Sequence, residues 1–440
     1  MKVVVLGGGS TGEHFVGALR RLDDDVELTL VESRLVGGEC SYYACMPTKT
    51  MLRTAELSSS LDRAPGLVPE RPQAHGVWEW RDGVTSNWDD SGQLEWLEGQ
   101  RCAFVRGRGR VTRTGVVEVD EQELEYDRLV VATGSAPAIP PVDGLDGVDY
   151  WTNVEATSMH EVPASLAVLG GGPVGAELAQ FFARLGTEVT VIEQGPRLLG
   201  RVHEDAGKIV ADVFREQEGI AVRTDVAVER VERGIRLTLS DGSVVEAERL
   251  LVATGRQPTV RELGLEQLGV SIGRQGIEVD ERLRAAENVW AIGDVTGVAL
   301  FTHVGKYQAR VAAADMAGQD VKADYRAIPA AIFTDPEVAT VGKTEGVSAR
   351  WELTSTPRLS TYERPKRDGF VRLFADPEER VLVGAVAVGP QATEWLGQLT
   401  LAVRSATPVE VLLDTIQPYP TFSEAIFFAL RELHDALPAR

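Results

Sequence analysis

Met1-Lys2-Val3-Val4-Val5-Leu6-Gly7-Gly8-Gly9-Ser10-Thr11-Gly12 opens the chain, and the reading of this stretch decides the fold. Residues 2–6 form a short apolar run of the kind that builds a buried parallel strand, and a glycine loop follows without a spacer. Gly7 permits a tight turn, Gly9 lets the backbone approach a pyrophosphate, and Gly12 lets the following helix pack closely on the strand. That helix carries Phe15, Val16 and Leu19, and its amino terminus offers N–H groups and the positive end of a dipole to an anion. A second strand over residues 26–31 ends in Glu32. An acidic side chain there, about 20 residues after the loop, accepts hydrogen bonds from an adenosine ribose.

The arrangement returns in the middle of the chain. A strand over residues 166–169 leads into Gly170-Gly171-Gly172-Pro173-Val174-Gly175, then a helix through Leu178, Phe182 and Leu185, then a strand over 188–192 ending in Glu193. Gly170, Gly172 and Gly175 repeat the roles of Gly7, Gly9 and Gly12, so two complete fingerprints imply two dinucleotides. Glu193 repels a 2'-phosphate and Gln194 supplies no cation to neutralise one, which favours NADH at the second site, while Arg197 and Arg201 keep NADPH within reach. Strands ending in Ala132-Thr133-Gly134 and Ala253-Thr254-Gly255 close each βαβ half, and residues 288–292 deliver Gly293 and Asp294 to the carboxyl edge of a sheet, where ligands sit in open α/β folds.

Composition narrows the partners. The 440 residues suffice for several domains. A net charge of -21 opposes binding to nucleic acid or to an anionic membrane over most of the surface. The cluster Arg101, Arg106, Arg108, Arg110 and Arg113 reads as one solvated strand face. No stretch approaches the roughly 20 apolar residues of a membrane span, and the opening apolar run is too short for a signal peptide core. The only cysteines are Cys40, Cys45 and Cys102, so no secreted-type disulfide framework exists and a cytoplasmic enzyme is expected.

Gly37-Gly38-Glu39-Cys40-Ser41-Tyr42-Tyr43-Ala44-Cys45-Met46-Pro47-Thr48-Lys49 lies just beyond the first nucleotide-binding strand. Two cysteines five apart on one helical segment can form a readily reduced disulfide, with a thiolate held by a nearby cation such as Lys49. A zinc site would need further cysteine or histidine ligands that the sequence lacks, so no resident metal is expected.

With these residues in view, the chain resembles the flavoprotein disulfide reductases, the group that contains dihydrolipoamide dehydrogenase, glutathione reductase and mercuric reductase. The resemblance runs over nearly the whole length: the Gly7–Gly12 loop, Gly37 to Lys49, Ala132-Thr133-Gly134, the second loop with Glu177, Ala253-Thr254-Gly255-Arg256, Ala291-Ile292-Gly293-Asp294, and Phe333 to Ala339. It implies FAD at the first site, with Gly38, Thr133, Gly134 and Gly255 beside the cofactors. Cys45 would be the flavin-facing thiolate and Cys40 the outer, attacking cysteine. Lys49 and Glu177 would pair at the flavin's reactive edge, Asp294 would hold the ribityl chain, and Thr302 and His303 would lie along the flavin ring.

One position departs from the group. Most members carry His-Pro-Thr-x-x-Glu near the carboxyl end, whose histidine reaches across a dimer as the acid/base; here the match is Tyr419-Pro420-Thr421-Phe422-Ser423-Glu424. Tyrosine, with an ordinary pKa of about 10, is ionised to only about one part in a thousand at neutral pH. Mercuric reductases also carry tyrosine here. The cysteine loop differs too, with Tyr42, Tyr43 and Ala44 placing bulk near Cys40, and Trp78, Trp80, Trp88 and Trp96 cluster nearby in sequence.

The resulting expectation is an α/β chain of two Rossmann-like dinucleotide-binding domains and a C-terminal α+β dimerisation domain. The FAD domain spans 1–150 and 277–326, the NAD domain 151–276 and the dimerisation domain 327–440. Electrons would pass from NADH through FAD to Cys40 and Cys45 in a homodimer, and on to a small-molecule or protein disulfide. A metal ion or a quinone is the alternative acceptor. A flavin-binding regulatory subunit without turnover is the reading from a different class.

Overall fold

The structure, a computed structural model, describes residues 1–68 and 70–438. The chain folds as two compact units. The first joins Met1–Pro47, Glu79–Ala138 and Gly255–Asp324, and the second joins Thr48–Trp78, Ile139–Thr254 and Tyr325–Arg440.

In the first unit, β1 (Lys2–Leu6) lies parallel to β2 (Glu27–Glu32), with Val3 opposite Leu28, and β3 (Cys102–Arg106) extends the sheet beyond β2. On the other side of β1 come Arg128–Val131, Val289–Ala291 and Arg284–Ala286, giving six strands. The strands of the sheet centre are continuous apolar runs because parallel sheets are covered on both faces. One cover is α1 (Ser10–Leu22), which buries Phe15, Val16 and Leu19 completely and packs against the helix Thr302–Met316. The other is a three-stranded antiparallel sheet whose Val111, Val117 and Val119 meet Val4, Leu6 and Val31.

The second unit repeats the plan. Ala221–Arg223, Glu188–Ile192, Ser165–Leu169 and Arg249–Val252 form a four-stranded parallel sheet. The helix Pro173–Leu185 follows its glycine loop, with proline at the start, where no N–H partner is lost, and left-handed Gly186 as its stop. The same unit holds a five-stranded antiparallel sheet over residues 329–389, with helices Ala392–Arg404 and Glu424–Ala436 packed on it. This is the expected α+β carboxyl-terminal part. Among the described residues no helix is long and apolar enough to cross a membrane.

Two local expectations are corrected. The arginines from 101 to 113 do not share one solvated face: β3 and Gly109–Arg113 belong to different sheets, and Arg101, Arg106 and Arg113 pair with Asp24, Asp90 and Glu123. The cysteine segment is two helices, α2 (Gly38–Tyr42) and α3 (Cys45–Leu61), because Tyr43 at φ -139° leaves helical geometry between them. Tyr42 is buried, its hydroxyl lies 3.1 Å from Gln93 Oε1, and Trp88 donates to its carbonyl at 3.2 Å. The tryptophans divide likewise, Trp78 packing on Phe181 in the second unit and Trp96 against Gly17 in the first.

Candidate active site

The two glycine loops are built alike. A Cβ on Gly12 would sit 2.1 Å from the Gly7 carbonyl oxygen, and one on Gly175 would sit 2.0 Å from that of Gly170. Any side chain at either position would push the helix off its strand. The acidic residue closing each second strand holds the loop: Glu32 accepts from the Gly8 N–H at 2.8 Å and the Arg34 N–H at 2.7 Å. Glu193 accepts from the Gly171 N–H at 2.7 Å and the Gly195 N–H at 2.6 Å.

Each helix then starts at a glycine, Gly9 or Gly172, with no side-chain cap. The first-turn N–H groups are therefore left to face an anion. Two such cradles fit the pyrophosphates of FAD and of a nicotinamide dinucleotide. Gly38 approaches the first loop closely, since a Cβ there would lie 2.7 Å from Gly9 Cα.

At the carboxyl edge of the first sheet, Asp294 accepts from the Ser135 hydroxyl at 2.6 Å. Arg256 donates to Ser135 Oγ, to its carbonyl and to Glu39 Oε2, each at 2.7 Å. Burial raises the Asp294 carboxyl above its ordinary range, against the Ser135 hydrogen bond and Arg256. Thr133 donates to the Thr259 carbonyl at 2.7 Å, and the Gly134 and Gly255 carbonyls accept from Thr259 and Ala138 at 2.9 Å. These three residues thus clasp the crossover between the strands Ser135–Pro137 and Arg256–Pro258.

Cys40 on α2 and Cys45 at the start of α3 are half-buried free thiols. Cys45 Sγ lies 3.4 Å from Thr302 Oγ1, at the amino terminus of Thr302–Met316. A hydrogen bond with Cys45, together with burial, pushes the Cys40 thiol well above its ordinary value, while Thr302 and the Lys306 ammonium pull it down. Lys306 is a cation whose charge acts on this thiol, and sequence reasoning passed over it. Its signal was available, one helical turn after Thr302. His303 stacks on Phe301 with centroids 5.1 Å apart.

In the second unit, Lys49 Nζ meets Glu177 Oε2 at 2.7 Å, and Glu177 Oε1 accepts from the Phe333 N–H at 2.9 Å. Glu177 is only 4% exposed. The Lys49 ammonium also lies over the Phe333 ring, 4.8 Å from its centroid. Tyr419 is 72% exposed. Glu424 keeps one oxygen, Oε2, buried without a hydrogen-bond partner among the described residues. Tyr419 donates no hydrogen bond to that oxygen.

The family model for pyridine nucleotide-disulphide oxidoreductases matches residues 1–319, and the model for that family's dimerisation domain matches residues 328–429. The chain is 33% identical to dihydrolipoyl dehydrogenase 2 of Haloarcula marismortui over 97% of its length and 95% of the relative's. It is 32% identical to a mercuric reductase of Staphylococcus aureus over 96% of its length and 80% of the relative's. Among solved structures, LpdA of Mycobacterium tuberculosis superimposes with a TM-score of 0.88 at 27% identity, covering 98% of this chain and 99% of that one. Two fingerprint loops, a thiol pair and an α+β end are thus features of one lineage, and the chain belongs to the FAD- and NAD(H)-dependent pyridine nucleotide-disulphide oxidoreductase family, including its dimerisation domain.

Proposed function

We propose that this chain oxidises NADH through FAD to reduce the Cys40–Cys45 disulfide, and that the resulting thiols reduce a thiol-reactive acceptor in the cytoplasm. The observation that carries the reading is the thiol pair itself: Cys40 and Cys45 in hydrogen-bond contact, at a helix amino terminus, with Thr302 on Cys45 and the Lys306 charge acting on Cys40. Bound FAD supplies the two-electron relay between nicotinamide and sulfur. Gly7, Gly9, Gly12, Glu32, Gly38 and Asp294 hold it, while Gly170, Gly172, Gly175 and Glu193 hold the nicotinamide dinucleotide. Lys49 is a cation fixed by Glu177, the pair that the family resemblance assigns to catalysis. The boundaries at 150, 277 and 327 divide these tasks among domains.

Reduction of the disulfide consumes two electrons and two protons, one proton arriving with the hydride of NADH and one from solvent. Cys40 then attacks an acceptor disulfide, and Cys45 closes on the mixed disulfide to release two thiols. A soft divalent metal ion held by the two thiolates would take the same two electrons, regenerate the disulfide and leave as the neutral atom. The second acceptor class is favoured by one observation, the loss of the acid/base pair: Tyr419 stands in place of the usual histidine, and Glu424 Oε2 has no hydrogen-bond partner among the described residues.

Homodimer formation is part of the proposal. It is supported by the dimerisation-domain match and by exposed apolar side chains in that region, Ile416 at 94% and Leu401 at 68%. The test is an anaerobic NADH titration, followed by a panel of disulfide, metal-ion and quinone acceptors on the wild type and Cys40→Ser. Disulfide and metal turnover should vanish in Cys40→Ser while direct quinone reduction survives. Full disulfide turnover by Cys40→Ser, or no NADH-driven appearance of two titratable thiols in the wild type, would overturn the reading.

A further inference from the structure

The two cysteines sit on separate pieces of chain. Cys40 belongs to α2, five residues long, and Cys45 opens α3, with Tyr43 out of helical geometry between them. A five-residue helix has barely more than one turn of internal hydrogen bonds, so its position is set by what ties it to its surroundings. While the cysteines are joined, the disulfide is itself one tie. As free thiols, their state in this structure, they stay together only as far as α2 stays in place.

The ends of α2 are held through the backbone. The Gly37 N–H donates to the Gly8 carbonyl at 2.8 Å, and the Trp88 indole donates to the Tyr42 carbonyl at 3.2 Å. Directly beside Cys40 the tie is Glu39, whose Oε2 accepts from Arg256 Nη2 at 2.7 Å. Arg256 is not free to follow a moving partner. Its Nε and Nη2 also donate to the hydroxyl and the carbonyl of Ser135, each at 2.7 Å, and its backbone lies on the strand Arg256–Pro258, paired antiparallel with Ser135–Pro137. The Ser135 hydroxyl in turn donates to Asp294 Oδ2 at 2.6 Å. An unbroken series of hydrogen bonds thus runs from the neighbour of Cys40 to the carboxyl edge of the first sheet, all within the first unit.

We propose that Glu39 and Arg256 are a positioning pair that holds Cys40 within reach of Cys45 and so sets the redox poise of the thiol pair. Neither side chain reacts. The stability of a disulfide against an external dithiol reflects the effective concentration of its two thiols, which rises when the helix bearing one of them is fixed. The reaction that reads it is thiol–disulfide exchange: the Cys40–Cys45 disulfide and reduced dithiothreitol give two enzyme thiols and cyclic oxidised dithiothreitol. One S–S bond breaks and one forms, and two electrons and two protons pass to the enzyme. An anchored α2 opposes this exchange. The inference rests on reading Cys40 and Cys45 as the redox pair, and adds what tunes their potential.

The test equilibrates the holoenzyme anaerobically across a series of dithiothreitol redox buffers at pH 7 and traps thiols with iodoacetamide. The disulfide fraction is read from the peptide carrying Cys40 and Cys45, and flavin absorbance accounts for electrons held on FAD. Glu39→Ala should favour the dithiol by about tenfold, a rise of about 30 mV in potential. Glu39→Gln still offers Arg256 an oxygen, though without the charge, and should stay within about threefold of the wild type. Arg256→Met should shift the equilibrium at least as far as Glu39→Ala, and the double variant no further than Arg256→Met alone, because both changes cut the same tie. Glu39 keeps 21% of its side chain in solvent and Arg256 keeps Ser135, so the Glu39 variants should fold and retain FAD. Equal potentials in the wild type and Glu39→Ala would overturn the inference. So would a Glu39→Gln shift equal to that of Glu39→Ala, since charge and not position would then set the poise. A wild type that forms no Cys40–Cys45 disulfide in any buffer would overturn the redox-pair reading as well.

Discussion

Replacing Lys49 with methionine isolates the buried carboxylate of Glu177, and the cost follows from its surroundings. At 2.7 Å the ammonium and carboxylate attract by about 6 kcal/mol at an effective dielectric of 20. Desolvation cancels much of this. Lys49 also keeps 35% of its side chain in solvent, which screens the pair further. Among the described residues, methionine leaves Glu177 with only the Phe333 N–H, at 2.9 Å. A stranded buried charge costs about 3–5 kcal/mol, and the exposure of Lys49 places this case at about 3 kcal/mol.

Glu177→Gln removes the charge, and the double variant should recover most of the stability, giving a coupling of about 2 kcal/mol in a double-mutant cycle. Urea denaturation at fixed protomer concentration and saturating FAD measures all four proteins. A coupling below about 0.5 kcal/mol would refute the reasoning.

Other expectations follow from the same structure. Tyr419→His should give Glu424 Oε2 a partner and raise disulfide turnover at neutral pH by about 10²-fold or more, with a new pH-rate inflection near 6.5; an unchanged pH profile would sink it. Asp335→Asn should cost about 3–5 kcal/mol at pH 7 by leaving Arg63, Arg184 and Arg367 short of a counter-charge. Although burial opposes it, Arg367, Arg184 and Arg63 hold the Asp335 carboxyl well below 3.8. Its stabilising charge is therefore complete above pH 3.8 and fades as pH falls below that, so acid denaturation curves of wild type and Asp335→Asn should converge at low pH.

Glu13 works in the opposite direction. Its folded carboxyl binds protons more tightly than the unfolded one, so it costs nothing below pH 4.5 and reaches its full penalty above about pH 7. Glu13→Gln should raise stability by about 2 kcal/mol at pH 8 and leave it unchanged at pH 4, as thermal melts would report. An equal shift at both pH values would be the wrong result.

The sequence by itself determined what is local. Strand, glycine loop, helix and acidic stop lie within one short span in each half, and the close contacts of Gly12 with Gly7 and of Gly175 with Gly170 involve residues five apart, so spacing alone announces them. The thiol pair was legible for the same reason. Tyr43's break in the cysteine segment was not, because residues 37–49 read as one helical segment and Tyr42 is drawn into the first unit by Gln93 and Trp88. Nor was the clasp of Arg256 on Glu39 and Ser135, the cluster of arginines around Asp335, or the contacts of Thr302 with Cys45 and of Arg310 with His14. Such partners are separated by tens to hundreds of residues. Only packing brings them within hydrogen-bond range, and only the burial it creates raises Glu13 to about 7.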